Sequence, residues 1–153
     1  MMAEINNPSL RIEDELKKHG TYATNTVGIS MRPLFKTHRD AVFLSAPERE
    51  IRKYDVVLYT DDTDRYILHR VIGVRDGFFI IRGDNTYMKE RVPRERVIAY
   101  MVSFTRCGKH HKIEERGYKF YSRFWNFIYP FRWILHKFRS LVRKIIKNKP
   151  TKH

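Results

Sequence analysis

The sequence is short of cysteine, of long apolar runs and, in its last quarter, of acidic residues. Its single cysteine, Cys107, excludes a disulfide within the chain and permits a reducing compartment. No window approaches about 18 charge-free apolar residues, which predicts that no helix spans a membrane. Residues 1–18 lack the apolar core of a secretory signal. We therefore expect a cytoplasmic protein, or one bound peripherally at a membrane.

Positive charge dominates, but it is unevenly distributed. The 153 residues carry a net charge of +14. From Arg116 onward there are eleven Lys and Arg and no Asp or Glu, whereas the residues before it hold twenty basic and seventeen acidic side chains. The chain thus combines a nearly neutral body, long enough for one domain with a hydrophobic core, with a basic tail.

The body is predicted to be mainly β with strong curvature. Short β-branched or aromatic runs are separated by turn residues, and Asp76-Gly77 between two such runs is typical of a tight hairpin. An amphipathic helix is expected at 9–19, capped by Ser9 and ended by Gly20. The predicted strands cover residues 22–27, 41–44, 55–59, 66–74, 78–82 and 97–104.

After the body the apolar period becomes helical. Residues 118–147 predict one or two basic amphipathic helices broken near Pro130. The expected organisation is therefore a β body with its N-terminal helix at 1–106, a linker at 107–117 and a basic amphipathic helical tail at 118–153.

Three short segments supply the groups of an activated hydroxyl nucleophile. They read Gly-Ile-Ser-Met-Arg-Pro at 28–33, Leu-His-Arg-Val-Ile-Gly at 68–73 and Arg-Gly-Asp-Asn at 82–85. Ser30 would be the nucleophile and His69 its base, because imidazole with an ordinary pKa of about 6.5 is mostly neutral at pH 7. An acid beside the imidazole would fix its tautomer. The Ser30 backbone N–H is a candidate oxyanion donor.

In this order the segments resemble the catalytic boxes of the superfamily of type I signal peptidases and LexA-like self-cleaving peptidases. Ser30-Met31 followed by Pro33 matches the nucleophile box, and Gly-Asp-Asn at 83–85 matches the last box. His69 stands where bacterial enzymes have lysine, which is similar to the archaeal and endoplasmic-reticulum type. The resemblance covers roughly residues 20–105.

The resemblance implies a signal-peptidase-like β fold and a serine endopeptidase, a hydrolase that cleaves a signal or leader peptide without a cofactor. Met31 and Gly28 are the expected substrate contacts. The acid that supports His69 has two candidates: Asp84 of the matched box is favoured, and Glu90 is the alternative. Asp84 could instead be structural, accepting backbone N–H groups in its own turn.

Other functions and partners were weighed against this hypothesis. The alternative is a LexA-like regulatory or non-catalytic module that binds peptide or nucleic acid, although no helix-turn-helix precedes the body, so nucleic acid is not favoured. Cys107, His110 and His111 lack a second ligand pair, so no metal site is predicted.

The tail predicts contact with an anionic membrane surface, because aromatic and aliphatic residues are interleaved with Lys and Arg. The alternative is that its apolar stripe packs on the body or on a second copy of the chain. The expected membrane-contact residues are Trp125, Phe131, Trp133, Ile134, Leu135, Phe138, Leu141, Val142 and Ile145.

Overall fold

A computed structural model describes the backbone of residues 12–147 and the side chains of residues 12–143. The predicted helix cap at Ser9 lies outside these residues. The elements are α1 (Ile12–His19), β1 (Thr21–Asn25), β2 (Ala41–Ser45), β3 (Val56–Thr60), β4 (Tyr66–Val74), β5 (Phe78–Arg82), β6 (Glu90–Pro93), β7 (Val97–Arg106), β8 (Lys109–Lys112), α2 (Arg116–Phe127) and α3 (Tyr129–Lys147).

The strands form one antiparallel sheet, so the prediction of a mainly β body is confirmed. The order is β1-β2-β7-β3-β4-β5-β6, with β8 added beside β7. Register shifts interrupt the pairs β2–β7, β3–β7 and β4–β5. Such a bulge bends its strand locally and increases its twist.

The N-terminal helix is held to the sheet by its apolar face. Ile12 and Leu16 are buried in a core cluster that also contains Phe35 and Phe104. Gly20 ends the helix with a φ of +72°, and its N–H donates to the Leu16 carbonyl at 2.8 Å. This is the left-handed C-terminal stop that glycine adopts without steric cost.

One of two hairpins in the sheet is predicted by its sequence, and the other is not. The predicted Asp76-Gly77 turn joins β4 to β5, and Arg75 N–H donates to the Phe78 carbonyl at 3.0 Å across it. The predicted linker at 107–117 is wrong, because β8 occupies Lys109–Lys112 and α2 begins at Arg116. The Lys-His-His-Lys sequence has no apolar alternation, so only the pairing with β7 makes it a strand.

The predicted pair of C-terminal helices is confirmed, with Pro130 in the first turn of α3. Proline is tolerated there because the first N–H groups of a helix lack intrahelical partners. Ile128 N–H donates to Phe124 O at 3.0 Å, and Arg132 N–H donates to Ile128 O at 3.1 Å. These bonds carry the i→i−4 pattern across the junction. Among the described residues, no helix is long and apolar enough to cross a membrane.

Candidate active site

Ser30 lies in the turn region that follows β1. Gly28 has a φ of +93°, and its carbonyl accepts a hydrogen bond from Thr37 Oγ1 at 2.6 Å. Ser30 is only 1% exposed, and Met31, Leu34 and Phe35 anchor the segment in the core. The structure does not support the prediction that Met31 contacts substrate, because the Met31 side chain packs in the core cluster with Leu34 and Phe35. Gly28 forms the bend, and no substrate contact is evident for it.

His69 lies in the middle of the sheet, on β4, and is 1% exposed. The register pairs it with Val57 of β3, so Tyr59, two residues further along β3, lies diagonally beside it on the same face. Strand β5 lies on the other side of β4. Val71 of β4 pairs with Ile81 of β5, and Ile81 pairs with Glu90 of β6. The sheet register therefore brings Tyr59 and Glu90 to the imidazole from different strands.

Both neighbours contact the same ring nitrogen. The Nδ1 atom of His69 is 3.2 Å from the Tyr59 hydroxyl and 3.3 Å from Glu90 Oε1. Tyr59 donates its hydroxyl proton to Glu90 Oε2 at 2.7 Å. Burial raises the pKa of Tyr59, and the carboxylate of Glu90 raises it further, so the phenol keeps its proton.

These contacts determine the imidazole tautomer. The single hydroxyl proton of Tyr59 is donated to Glu90, so the Tyr59 oxygen can only accept from Nδ1. Nδ1 must then carry the ring proton, and Nε2 is left with its lone pair. Among the described residues, the buried Nε2 has no hydrogen-bond partner. This is the protonation state that a general base requires.

The Nε2 atom lies where the turn that contains Ser30 meets the Gly-Asp-Asn turn. Continuing the β4–β5 register places Gly83 opposite His69. A Cβ atom added to Gly83 would lie 2.8 Å from the Ser30 carbonyl oxygen and 3.0 Å from His69 Nε2. Asn85 N–H donates to that same carbonyl at 2.6 Å. Gly83 is therefore required for space, since any larger residue would separate Ser30 from His69.

The predicted hydrogen bond between Ser30 and His69 is not formed in this structure, because Nε2 has no partner. The backbone of Ser30 is nevertheless at the ring, as the approach to Gly83 shows. Catalytic hydrogen bonds of this kind are often long without substrate and tighten when it binds.

The carboxylate that contacts the imidazole belongs to Glu90, so the prediction that favoured Asp84 for this position is wrong. Hydrogen bonding from His69 lowers the pKa of Glu90, outweighing the opposing effect of burial, and Tyr59 lowers it further. Glu90 is therefore anionic near neutral pH, as a partner for imidazolium must be.

Asp84 is committed to Arg70 instead. Its Oδ1 accepts from Arg70 Nε and its Oδ2 from Arg70 Nη2, both at 2.8 Å, and Tyr121 donates to Oδ2 at 3.0 Å. Burial lowers the pKa of Arg70, but the charge of Asp84 outweighs it and the pKa is raised above the ordinary value. This buried pair holds the Gly-Asp-Asn turn in place. Asp84 is thus structural, although its partners are side chains rather than backbone N–H groups.

The C-terminal helices also hold this turn, a role that the sequence did not reveal. Trp125 Nε1 and Arg132 Nη2 donate to the Asp84 carbonyl at 2.8 and 2.9 Å. The Arg132 guanidinium also stacks 3.8 Å from the Trp125 ring centroid. The prediction that Trp125 contacts a membrane is therefore wrong, because its indole packs against the body.

The other predicted membrane-contact residues have a different environment. The described side chains among them are exposed and are not buried against the body; they are Phe131, Trp133, Ile134, Leu135, Phe138, Leu141 and Val142. The side chain of Ile145 lies outside the described residues.

The residues weighed for a metal site all lie in the β7–β8 hairpin. Cys107 is exposed in the β7–β8 turn, whereas His110 and His111 lie on β8 against Phe43 and Phe104 respectively. Within residues 12–147, no group of three or more His, Cys, Asp or Glu side chains could hold a metal ion.

Neither a protein-family model nor a curated protein matches this sequence. The resemblance to signal peptidases consequently depends on the three motifs, and the functional argument depends on the geometry at His69.

Proposed function

We propose that this protein is a serine endopeptidase of signal-peptidase type, with Ser30 as nucleophile, His69 as base and Glu90 as the acid that orients His69. The observation that carries the proposal is the state of the imidazole. Nδ1 is held by Tyr59 and Glu90, while the buried Nε2, beside the Ser30 turn, has no hydrogen-bond partner in the part of the chain that the structure describes. A core histidine with only a structural role would normally use both ring nitrogens.

The chemistry follows from these positions. Ser30 Oγ attacks the scissile carbonyl carbon as its proton passes to His69 Nε2, and the resulting imidazolium is stabilised through Nδ1–H by Glu90. The C–N bond then breaks as Nε2–H protonates the leaving amine. Water, deprotonated by Nε2, hydrolyses the acyl-enzyme and releases Ser30.

The substrate class, a signal or leader peptide, is proposed from the resemblance of the motifs. The surface around the nucleophile turn offers room for an extended peptide, since Ile29, Arg32, Pro33 and Asn85 are exposed there. The cleaved bond would have to approach Ser30 from this open side, because the opposite side of the turn is anchored in the core.

The proposal is tested by sequencing new N-termini. The full-length protein is incubated with a detergent-solubilised cell extract that contains unprocessed precursors, and N-terminal peptides are identified by mass spectrometry. Ser30→Ala should abolish the new N-termini, whereas Ser103→Ala, on β7, should preserve them. Equal cleavage by the wild type and the Ser30→Ala variant would refute the proposal, as would an absence of new N-termini with the wild type.

A further inference from the structure

The two C-terminal helices present one continuous apolar stripe to solvent. At 100° per residue the members remain on one side of both helices, because they are three or four positions apart except for the adjacent pairs Ile134-Leu135 and Leu141-Val142. Their exposed fractions range from 36% to 73%. The stripe consists of Phe120, Phe124, Phe127, Phe131, Ile134, Leu135, Phe138, Leu141 and Val142.

The body lies against the opposite side of these helices. On α2, Tyr121 and Trp125 donate to Asp84. On α3, Arg132 donates to the Asp84 carbonyl and Tyr129 to the Tyr87 carbonyl. The outer stripe is therefore a separate apolar face, on the side of both helices that points away from the body.

Cations border the stripe, and the helices contain no acid. On α3, Lys137 lies on one flank, and Arg139 and Arg143 lie on the other. No Asp or Glu occurs from Arg116 to the end of the chain. A convex apolar ridge with cations on both flanks is complementary to a layer that is apolar inside and anionic at its surface. A second copy would instead bring two cationic flanks together, which opposes self-association.

We propose that the outer face of α2 and α3 docks on an anionic lipid bilayer, with the Phe, Ile, Leu and Val side chains among the acyl chains and the flanking Lys and Arg at the lipid phosphates. The helices then lie flat in the interface.

Docking would place the candidate active site at the membrane surface, a consequence that rests on the proposed function. A groove of about 400 Å³ between α3 and the two catalytic turns is lined by Arg32, Asn85, Leu135 and Arg139, among others. Because Leu135 also belongs to the stripe, the groove opens beside the docking face. A peptide that emerges from the bilayer would enter this groove beside the turns that contain Ser30 and Gly83.

Vesicle co-sedimentation tests the proposal with a full-length Ser30→Ala protein, so that failure of docking is distinguishable from failure of catalysis. Vesicles of phosphatidylcholine alone are compared with equimolar phosphatidylcholine and phosphatidylglycerol. We expect binding to the anionic vesicles, weakened by salt, and little binding to the neutral ones. Absence of binding to anionic vesicles at low salt would overturn the proposal.

Matched variants locate the contact. Phe131→Gln with Phe138→Gln should reduce affinity for anionic vesicles by about tenfold or more for each side chain. Met88→Gln, which changes an exposed apolar residue outside the stripe, should have no effect. Arg139→Gln with Arg143→Gln should cost about fivefold each. Lys109→Gln with Lys112→Gln on β8 is the charge-matched control.

Circular dichroism establishes that each variant keeps its helices, and light scattering reports the oligomeric state. A monomer that binds anionic vesicles through the stripe supports the proposal. Retention of vesicle binding by the folded double Phe variant would overturn it. A stable wild-type dimer that becomes monomeric in the double Phe variant would also overturn the proposal, because the stripe would then be covered by a second copy of the chain.

Discussion

Replacement of Glu90 by glutamine tests the proposed catalytic arrangement most directly. The substitution preserves the size of the side chain and removes its charge. Glu90 Oε1 is 3.3 Å from His69 Nδ1, and Oε2 accepts the Tyr59 hydroxyl at 2.7 Å. Glutamine can still accept from Tyr59, but a neutral amide stabilises imidazolium less well than a carboxylate does.

The expected fall in kcat/KM follows from the weaker interaction of glutamine with the imidazolium. A hydrogen bond to a charged partner contributes about 1.5–3 kcal/mol, and the 28% exposure of the Glu90 side chain places it toward the lower end of this range because water screens the charge. Since each 1.36 kcal/mol corresponds to tenfold in rate, kcat/KM should fall about 10- to 30-fold. The loss should lie in kcat, because Glu90 acts through His69 as a positioning residue and does not touch the substrate.

The assay is cleavage of a peptide spanning a site found by N-terminal sequencing, measured over a range of peptide concentrations. Glu95→Gln, an exposed acid after β6, is the matched control and should leave kcat and KM unchanged. Wild-type kcat in a folded Glu90→Gln protein would refute the assignment of Glu90. A rise in KM alone would refute the argument that the carboxylate acts through the imidazole.

Three further predictions concern the fold around the site. Gly83→Ala should abolish cleavage in the same peptide assay, because its Cβ would lie 2.8 Å from the Ser30 carbonyl oxygen and 3.0 Å from His69 Nε2. Gly117→Ala is the control and should remain active, because no atom lies within 4 Å of the added Cβ. Asp84→Asn should destabilise the protein by about 3 kcal/mol in denaturant unfolding, because Arg70 stays buried without its counter-charge; an unchanged midpoint would contradict this reading. Glu90 has a lowered pKa, so its stabilising contribution is present above the ordinary Glu pKa of about 4.3 and is lost as pH falls through the lowered folded value. The difference in Tm between wild type and Glu90→Gln should therefore shrink between pH 6 and pH 3, and a difference that widens would contradict the sign.

The sequence by itself determined the elements whose signals are local. The strand at Tyr66–Val74 and its Asp76-Gly77 hairpin follow from β-branched runs and turn chemistry, which act over a few residues. The C-terminal helices follow from a 3.6-residue apolar period, with Pro130 marking their junction. Ser30 and His69 could likewise be chosen as candidates, because short motifs contain them.

Only the tertiary structure decided which side chains meet. Glu90 lies on β6, outside the motif that contains Asp84, and it reaches His69 because strand register places β3, β4 and β6 around one imidazole. Asp84 is held by Arg70 and by Trp125 of a helix forty residues away in sequence, a contact that no local pattern encodes. Strand β8 likewise exists through its pairing with β7. Local propensity acts along the chain, whereas register and packing depend on atoms far apart in sequence. Register and packing decided which acid contacts His69, which side chains hold the Gly-Asp-Asn turn and which face of the helices is left exposed.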